Sequence, residues 1–452
     1  MYFLILFIIG IIPSISVAYK FFNRKEISFI DIYIIGCTLY YLLIPYYANY
    51  LTSITLLNFN ECKLSLTLVV VYLYLLLMVN NFIGKNSIFC MTRMIQKLDN
   101  KITVPYKLVY ICLFVSIIIL YKVTNYSALD AENPEANNQL YFGADLPIGL
   151  RCIGLFALQY RAILYILTLK LLNRNLTRTK RFIVYFTLCI TTLSFLLGPK
   201  TEMATTFIFC GLYFYSIYRN KIKRKMIYLG FVLTAGLFLI VFPLSQGLRM
   251  VKQNAVSTSQ VSFSDVVELY FTMSDKDKAI LKQRAEKSVQ GRSTNVFYLF
   301  HLTCTHPFQG NGALTYGIFK SLLPLKADDL NFNGNILADT YLFKGADVGE
   351  SVLSWFNADF KYIGLLLSIV FIFIFYYSYY YYYRIFSHIF KSPLFYWMFI
   401  YLSFKLSFSI ERNPGIFFHT FYVDYSLGAI LFGFIFKYLI YDKINIKNRL
   451  VG

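Results

Sequence analysis

Three cations in three different segments raise the first chemical question. Lys200 stands in Gly198-Pro199-Lys200-Thr201-Glu202, Arg249 follows Gly247-Leu248, and Arg292 lies in Gln290-Gly291-Arg292-Ser293. An ammonium beside the first free N–H groups of a helix suits a phosphate. Guanidiniums bind phosphate oxygens through charge-assisted, often bidentate hydrogen bonds. Together the three could clamp a diphosphate. Arg412, in Glu411-Arg412-Asn413-Pro414, is a fourth cation of this kind, although Glu411 can pair with it and His419 shares the segment. The plainer alternatives are a lysine that snorkels to an interface and ordinary surface arginines.

A second set of residues could handle protons. Glu350 lies in Gly349-Glu350-Ser351, and His306 precedes Pro307-Phe308-Gln309-Gly310-Asn311-Gly312, with His301 nearby. Transfer of a group to a hydroxyl needs an acceptor for the released proton, and Glu or His can serve. Each reads equally as a solvated loop residue. Arg161 and Lys405 fall near the middle of apolar stretches, and Arg151 nearer an end. Cations within hydrocarbon default to functional candidates unless backbone carbonyls or tyrosines satisfy them. The sequence has no HExxH, DxD, Walker or GxSxG pattern and no Cys/His cluster, so nothing calls for a metal, nucleotide or other cofactor.

The elements that must position these residues are apolar helices. The chain is 58% hydrophobic and only 15% charged, which excludes an ordinary soluble domain. The expected fold is all-α: a polytopic integral membrane helix bundle of about 11 spans. These fall near 2–19, 27–48, 64–84, 108–123, 147–171, 182–198, 203–218, 226–246, 360–383, 394–411 and 421–440. Their length and lack of alternation exclude a barrel. The first has no basic stretch before it and reads as a retained helix rather than a signal peptide.

Net charge is +20, yet nucleic acid is not the implied partner, because the excess sits in the short segments of one side. These include Lys20/Arg24/Lys25, Lys85/Arg93/Lys97/Lys101/Lys107, Arg174/Arg178/Lys180/Arg181 and Arg219/Lys221/Lys223/Arg224/Lys225. That asymmetry puts the N-terminus outside and the C-terminus in the cytosol. Residues 1–246 then carry spans 1–8, residues 247–359 form one large outer loop between spans 8 and 9, and residues 360–452 carry spans 9–11 and a tail. Ser264–Val289 in the loop patterns as an amphipathic helix. Of the eight cysteines only Cys62 and Cys304 fall on the outer side, where a bridge between them is one option. The run Tyr376–Tyr383, with seven tyrosines, reads as an interfacial aromatic belt.

Several segments together resemble the bacterial O-antigen polymerase and ligase families, the Wzy-type oligosaccharide repeat-unit polymerases in particular. Leu197-Gly198-Pro199-Lys200-Thr201 resembles their small-residue/Arg/small motif, with Lys in place of Arg. Gly291-Arg292, then Tyr298, then Pro307-Phe308-Gln309-Gly310-Asn311-Gly312 resembles their Gly-Arg, aromatic, Pro-x-x-Gly-x-Gly stretch. Gly349-Glu350-Ser351 through Asp359 to Tyr362-Ile363-Gly364 resembles the lead into the span after their large loop. Ligases tend to place His-Asn where this chain has Glu350-Ser351, which favours polymerase.

The resemblance implies a metal-independent glycosyltransferase in the bacterial inner membrane, working at the periplasmic face on undecaprenyl-diphosphate-linked oligosaccharides. Lys200, Arg249, Arg292 and Arg412 would neutralise the departing diphosphate, and Glu350 or His306 would act as base. Expected partners are membrane lipids, a Wzz-type chain-length regulator and a flippase. Two rivals stay open. A ligase would join finished glycan to a lipid A core. A lipid-linked oligosaccharide flippase would need cations such as Arg161 and Lys405 in a central cavity, but no hundred-residue loop.

Overall fold

The computed structural model describes residues 2–51, 61–83, 88–101, 104–124, 161–172, 175–196, 200–221, 294–306, 312–316, 350–392 and 394–408, with isolated positions at 268–280, 410, 430 and 433–434. Every regular element among them is helical. In chain order these are α1 (Tyr2–Phe22), α2 (Phe29–Thr38), a π-helical turn (Leu39–Leu43), α3 (Ile44–Leu51), α4 (Lys63–Ile83), α5 (Met91–Lys101) and α6 (Leu108–Thr124). Then come α7 (Arg178–Leu196), α8 (Lys200–Tyr218), α9 (Val352–Phe360), α10 (Ile363–Ile389) and α11 (Leu394–Phe408). Residues 161–171 and 294–305 are also helical.

Four of these segments are long and apolar enough to cross a membrane: Leu4–Phe22, Phe29–Tyr47, Lys63–Ile83 and Ile363–Ile389. Leu108–Leu120 and Met203–Tyr218 are shorter apolar helices. This architecture is compatible with a multi-pass membrane protein. The expected spans at 226–246 and 421–440, and nearly all of Ser264–Val289, lie outside the described residues.

Local chemistry explains how the helices are built. Ser28 caps α2 in a reciprocal box: its hydroxyl accepts from the Asp31 N–H, and the Asp31 carboxylate accepts from the Ser28 N–H. Pro13 lies within α1 and cannot donate to the carbonyl four residues back. That carbonyl, of Ile9, instead receives the Tyr74 hydroxyl of α4 at 3.2 Å. Pro45 likewise deprives Tyr41 of its usual donor, and the ladder widens there into the π-helical turn, with the Ile44 N–H reaching the Leu39 carbonyl.

Helix α4 separates the two ends of the bundle. Asn80, near its C-terminus, bonds Ser28 at 2.8 Å and Asp31 at 2.6 Å. Ser65, near its N-terminus, meets His301. Fifteen helical residues put these sites about 22 Å apart. The basic segments gather at the Asn80 end. There Lys20 pairs with Asp31, Glu26 with Arg93 and Arg219, and Asp99 with Lys170. The sequence left Met91–Lys101 in a basic connection, whereas the structure makes it the amphipathic α5, burying Met91, Met94, Ile95 and Leu98.

Part of the tyrosine run supplies a packing stripe. Tyr376, Tyr379 and Tyr383 are buried at helical spacing on α10, while Tyr381 is exposed. Phe375 stacks on Tyr379 at 4.9 Å, and Tyr376 meets Phe29 at 5.6 Å.

Candidate functional site

At the end of the bundle opposite the ion pairs, one short helix points inward. Lys361 turns the chain with φ 53 between α9 and α10. Gly364 makes the hairpin tight, because a Cβ there would sit 2.1 Å from the Phe356 carbonyl oxygen. Phe356 packs against Phe371, eight residues into α10 from Ile363, so the two helices run antiparallel. Nine residues of α9 therefore place Glu350 and Ser351 about 13 Å below the Lys361 turn. Residues 350–359 belonged to the outer loop in the sequence reading, but all ten are buried.

Ser351 caps α9 by accepting the Ser354 N–H at 3.0 Å. Its hydroxyl also receives the Tyr41 hydroxyl from the π-helical turn. Glu350 is 1% exposed, and its Oε2 accepts the Trp355 indole N–H at 2.7 Å. The carboxylate thus lies beside a helix N-terminus, where free N–H groups and partial positive charge favour anions.

The C-terminal end of α11 stops at a similar depth. Tyr376 hydrogen-bonds Ser407, and Ile410 packs on Gly36 of α2. Gly36 and Tyr41 are five residues apart on continuous helix, about 7.5 Å. Arg412 follows Ile410 by two residues in the sequence but lies outside the described residues, as do Arg249, Arg292, Arg151, Glu411 and His419.

Helical residues 294–306 are held between α4 and α9. His301 is 9% exposed, and its Nδ1 lies 2.9 Å from Ser65 Oγ. Burial holds its pKa below the ordinary histidine value, against an opposing pull from Glu61. Asn357 donates to Thr303 at 2.9 Å and to Cys304 at 3.5 Å. Its own carbonyl oxygen is buried and accepts from no donor among the described residues. Asp359 receives the N–H groups of Leu314 at 3.2 Å and Thr315 at 2.6 Å, and Gly312, at φ +94, sits against Phe360. Gly312–Thr315 and the end of α9 are therefore brought together.

The two base candidates separate. Glu350 is inside, whereas His306 is exposed and bonded to its neighbour Thr305 at 2.9 Å. Cys62 and Cys304 form no disulfide, and burial raises their thiols to about 12 and about 11.

The cations also sort by environment. Arg161 is fully buried, and its Nη1 donates at 3.0 Å to both the carbonyl and the hydroxyl of Ser194. Its guanidinium also lies 3.9 Å from the Phe195 ring. It therefore closes the C-terminal end of α7, where a cation opposes the helix dipole. Lys200 is the first residue of α8, and α7 ends at Leu196. Lys405 is buried on α11, next to Phe404, which packs on Phe209 of α8.

Sequence reasoning missed Tyr41, Trp355, Asn357 and Asp359 as site-building residues. One signal was available: Ser351 before Val-Leu-Ser-Trp is a helix N-cap pattern. Comparison with protein-family models, curated proteins and solved structures finds no match to this chain.

Proposed function

We propose that this chain is a metal-independent glycosyltransferase that polymerises undecaprenyl-diphosphate-linked oligosaccharide repeat units at the periplasmic face of a bacterial inner membrane. One observation carries the reading: α9 runs down into the bundle and ends in a buried carboxylate, Glu350, beside a helix N-terminus. A membrane protein tolerates such an interrupted helix where it lines a functional site, and inward N-termini favour anionic groups.

In this reading the acceptor sugar hydroxyl attacks the anomeric carbon of the growing glycan. The bond from that carbon to the diphosphate oxygen breaks, and undecaprenyl diphosphate leaves with the negative charge. Glu350 takes the hydroxyl proton. Lys200, Arg249, Arg292 and Arg412 stabilise the leaving group, where charge grows in the transition state. The buried Glu350 takes precedence over the exposed His306 as base. Arg161 supports α7 and is no longer a strong feature of the flippase alternative.

The test is a gel ladder of surface glycan from a deletion strain, with and without the gene restored. Loss of a polymerase leaves lipopolysaccharide capped with a single repeat unit, and restoration returns the ladder. Uncapped core would instead identify a ligase. An unchanged ladder would reject the proposal.

A further inference from the structure

The basic end of the bundle holds guanidinium donors that no described residue satisfies. Lys20, Arg24 and Lys25 close α1, while Arg219 and Lys221 follow α8. The structure folds these segments into one patch around Tyr215. The Tyr215 hydroxyl donates to the Lys25 carbonyl at 2.8 Å and lies within electrostatic reach of both Arg24 and Arg219. Arg24 takes φ 57, a left-handed conformation that is uncommon for a residue with a side chain.

Carboxylates are too few to match these cations. Asp31 is held by Lys20 at 2.7 Å. Glu26 already serves two guanidiniums, Arg93 at 2.6 Å and Arg219 at 3.2 Å. The Arg219 side chain is 11% exposed, yet its Nε and Nη1 reach no acceptor, and neither does Arg24 Nε. Buried donors are nearly always paired, so three on two guanidiniums that both lie within electrostatic reach of Tyr215 mark a place for an external acceptor. The planar fork of arginine matches the oxygens of a phosphate group.

The adjacent surface says where that phosphate comes from. Ile5, Ile8, Ile12, Ile15 and Tyr19 form an exposed stripe along α1 at helical spacing. The stripe leads directly to the patch, and the Lys25 ammonium lies 5.4 Å from the centre of the Tyr19 ring. An acyl chain can cover the stripe while its head group reaches the guanidiniums.

We propose that Arg219 and Arg24 form a binding site for the phosphate of an anionic phospholipid whose acyl chains lie along α1. The site is independent of the glycosyl-transfer reading and stands or falls without it.

The full chain, purified into phosphatidylcholine discs, tests this. Doping the discs with phosphatidylglycerol should raise the thermal midpoint, and native mass spectrometry should find phosphatidylglycerol retained. Arg219→Gln and Arg24→Gln should each weaken retention roughly tenfold, as expected for loss of a charge-assisted contact. Lys221→Gln, at an exposed position, should not. Arg24 Nε reaches no acceptor among the described residues, so Arg24→Gln keeps the test valid if Arg219→Gln fails to fold. Inorganic phosphate matching phosphatidylglycerol in delipidated protein would keep the anion site and overturn the lipid assignment. Retention that both Gln variants preserve, or no phosphatidylglycerol effect, would overturn the site.

Discussion

The Tyr41 hydroxyl of the π-helical turn hydrogen-bonds the Ser351 hydroxyl at the tip of α9, joining residues 310 positions apart. This contact fixes the depth of the inward-pointing helix, and Ser351 also caps it. Ser351→Ala is expected to remove the cap, worth about 1 kcal/mol. It also removes the Tyr41–Ser351 hydrogen bond while leaving Ser354 within reach of the Tyr41 hydroxyl, a further cost of about 1 kcal/mol. Ser351→Thr should retain most of both. Thermal midpoints of the three purified proteins check the order.

Glu350→Gln separates chemistry from structure. A glutamine carbonyl still accepts the Trp355 N–H, so protein level and thermal midpoint should stay close to wild type. The glycan ladder should disappear, because a neutral amide takes no proton at neutral pH. A normal ladder from this variant removes Glu350 as base.

Gly364→Ala should be severe. Its Cβ would lie 2.1 Å from the Phe356 carbonyl oxygen, so α9 and α10 must separate. A loss of about 3 kcal/mol or more is expected, at the upper end of overpacking costs. Gly211→Ala, on α8, is the control. Nothing lies within 4 Å of its added Cβ, so stability should hold or rise by about 0.5–1 kcal/mol. Folded yield of the two variants, compared by gel filtration, is the readout.

His301 gives a pH dependence with a definite sign. Burial holds its folded pKa below the unfolded value, with Glu61 and His306 as the charged neighbours that act on it. The unfolded chain therefore binds more protons in that interval, and stability rises with pH. The contribution is complete above about pH 6.5 and is lost as pH falls through the folded value. His301→Gln should flatten the fall in thermal midpoint between neutral and mildly acid pH, with Ser65 still able to hydrogen-bond the amide. An equally steep fall in the variant would assign the dependence elsewhere.

Helix class and most helix positions were legible in the sequence because polar backbone in an apolar environment must satisfy its hydrogen bonds internally, which leaves few options. The segments expected at 2–19, 64–84 and 108–123 fall on α1, α4 and α6. Charge asymmetry grouped Lys20, Arg93 and Arg219 on one side, and the ion pairs of Glu26 and Asp99 gather at one end of the bundle. Hydropathy could not reveal α9. Nine residues are too short to register as a span, and their burial depends on α10 folding back over them.

The sequence by itself determined that this chain is helical and that a set of its basic residues gathers together, since hydrophobicity and charge act residue by residue. Only the tertiary structure decided which of those residues are interior. Glu350 and His306 look alike as loop residues, yet one lies beneath α9 and the other faces outward. Arg161 looks like an unpaired charge until α7 supplies the Ser194 carbonyl. Partners for buried polar groups come from distant segments, and sequence spacing carries no record of them.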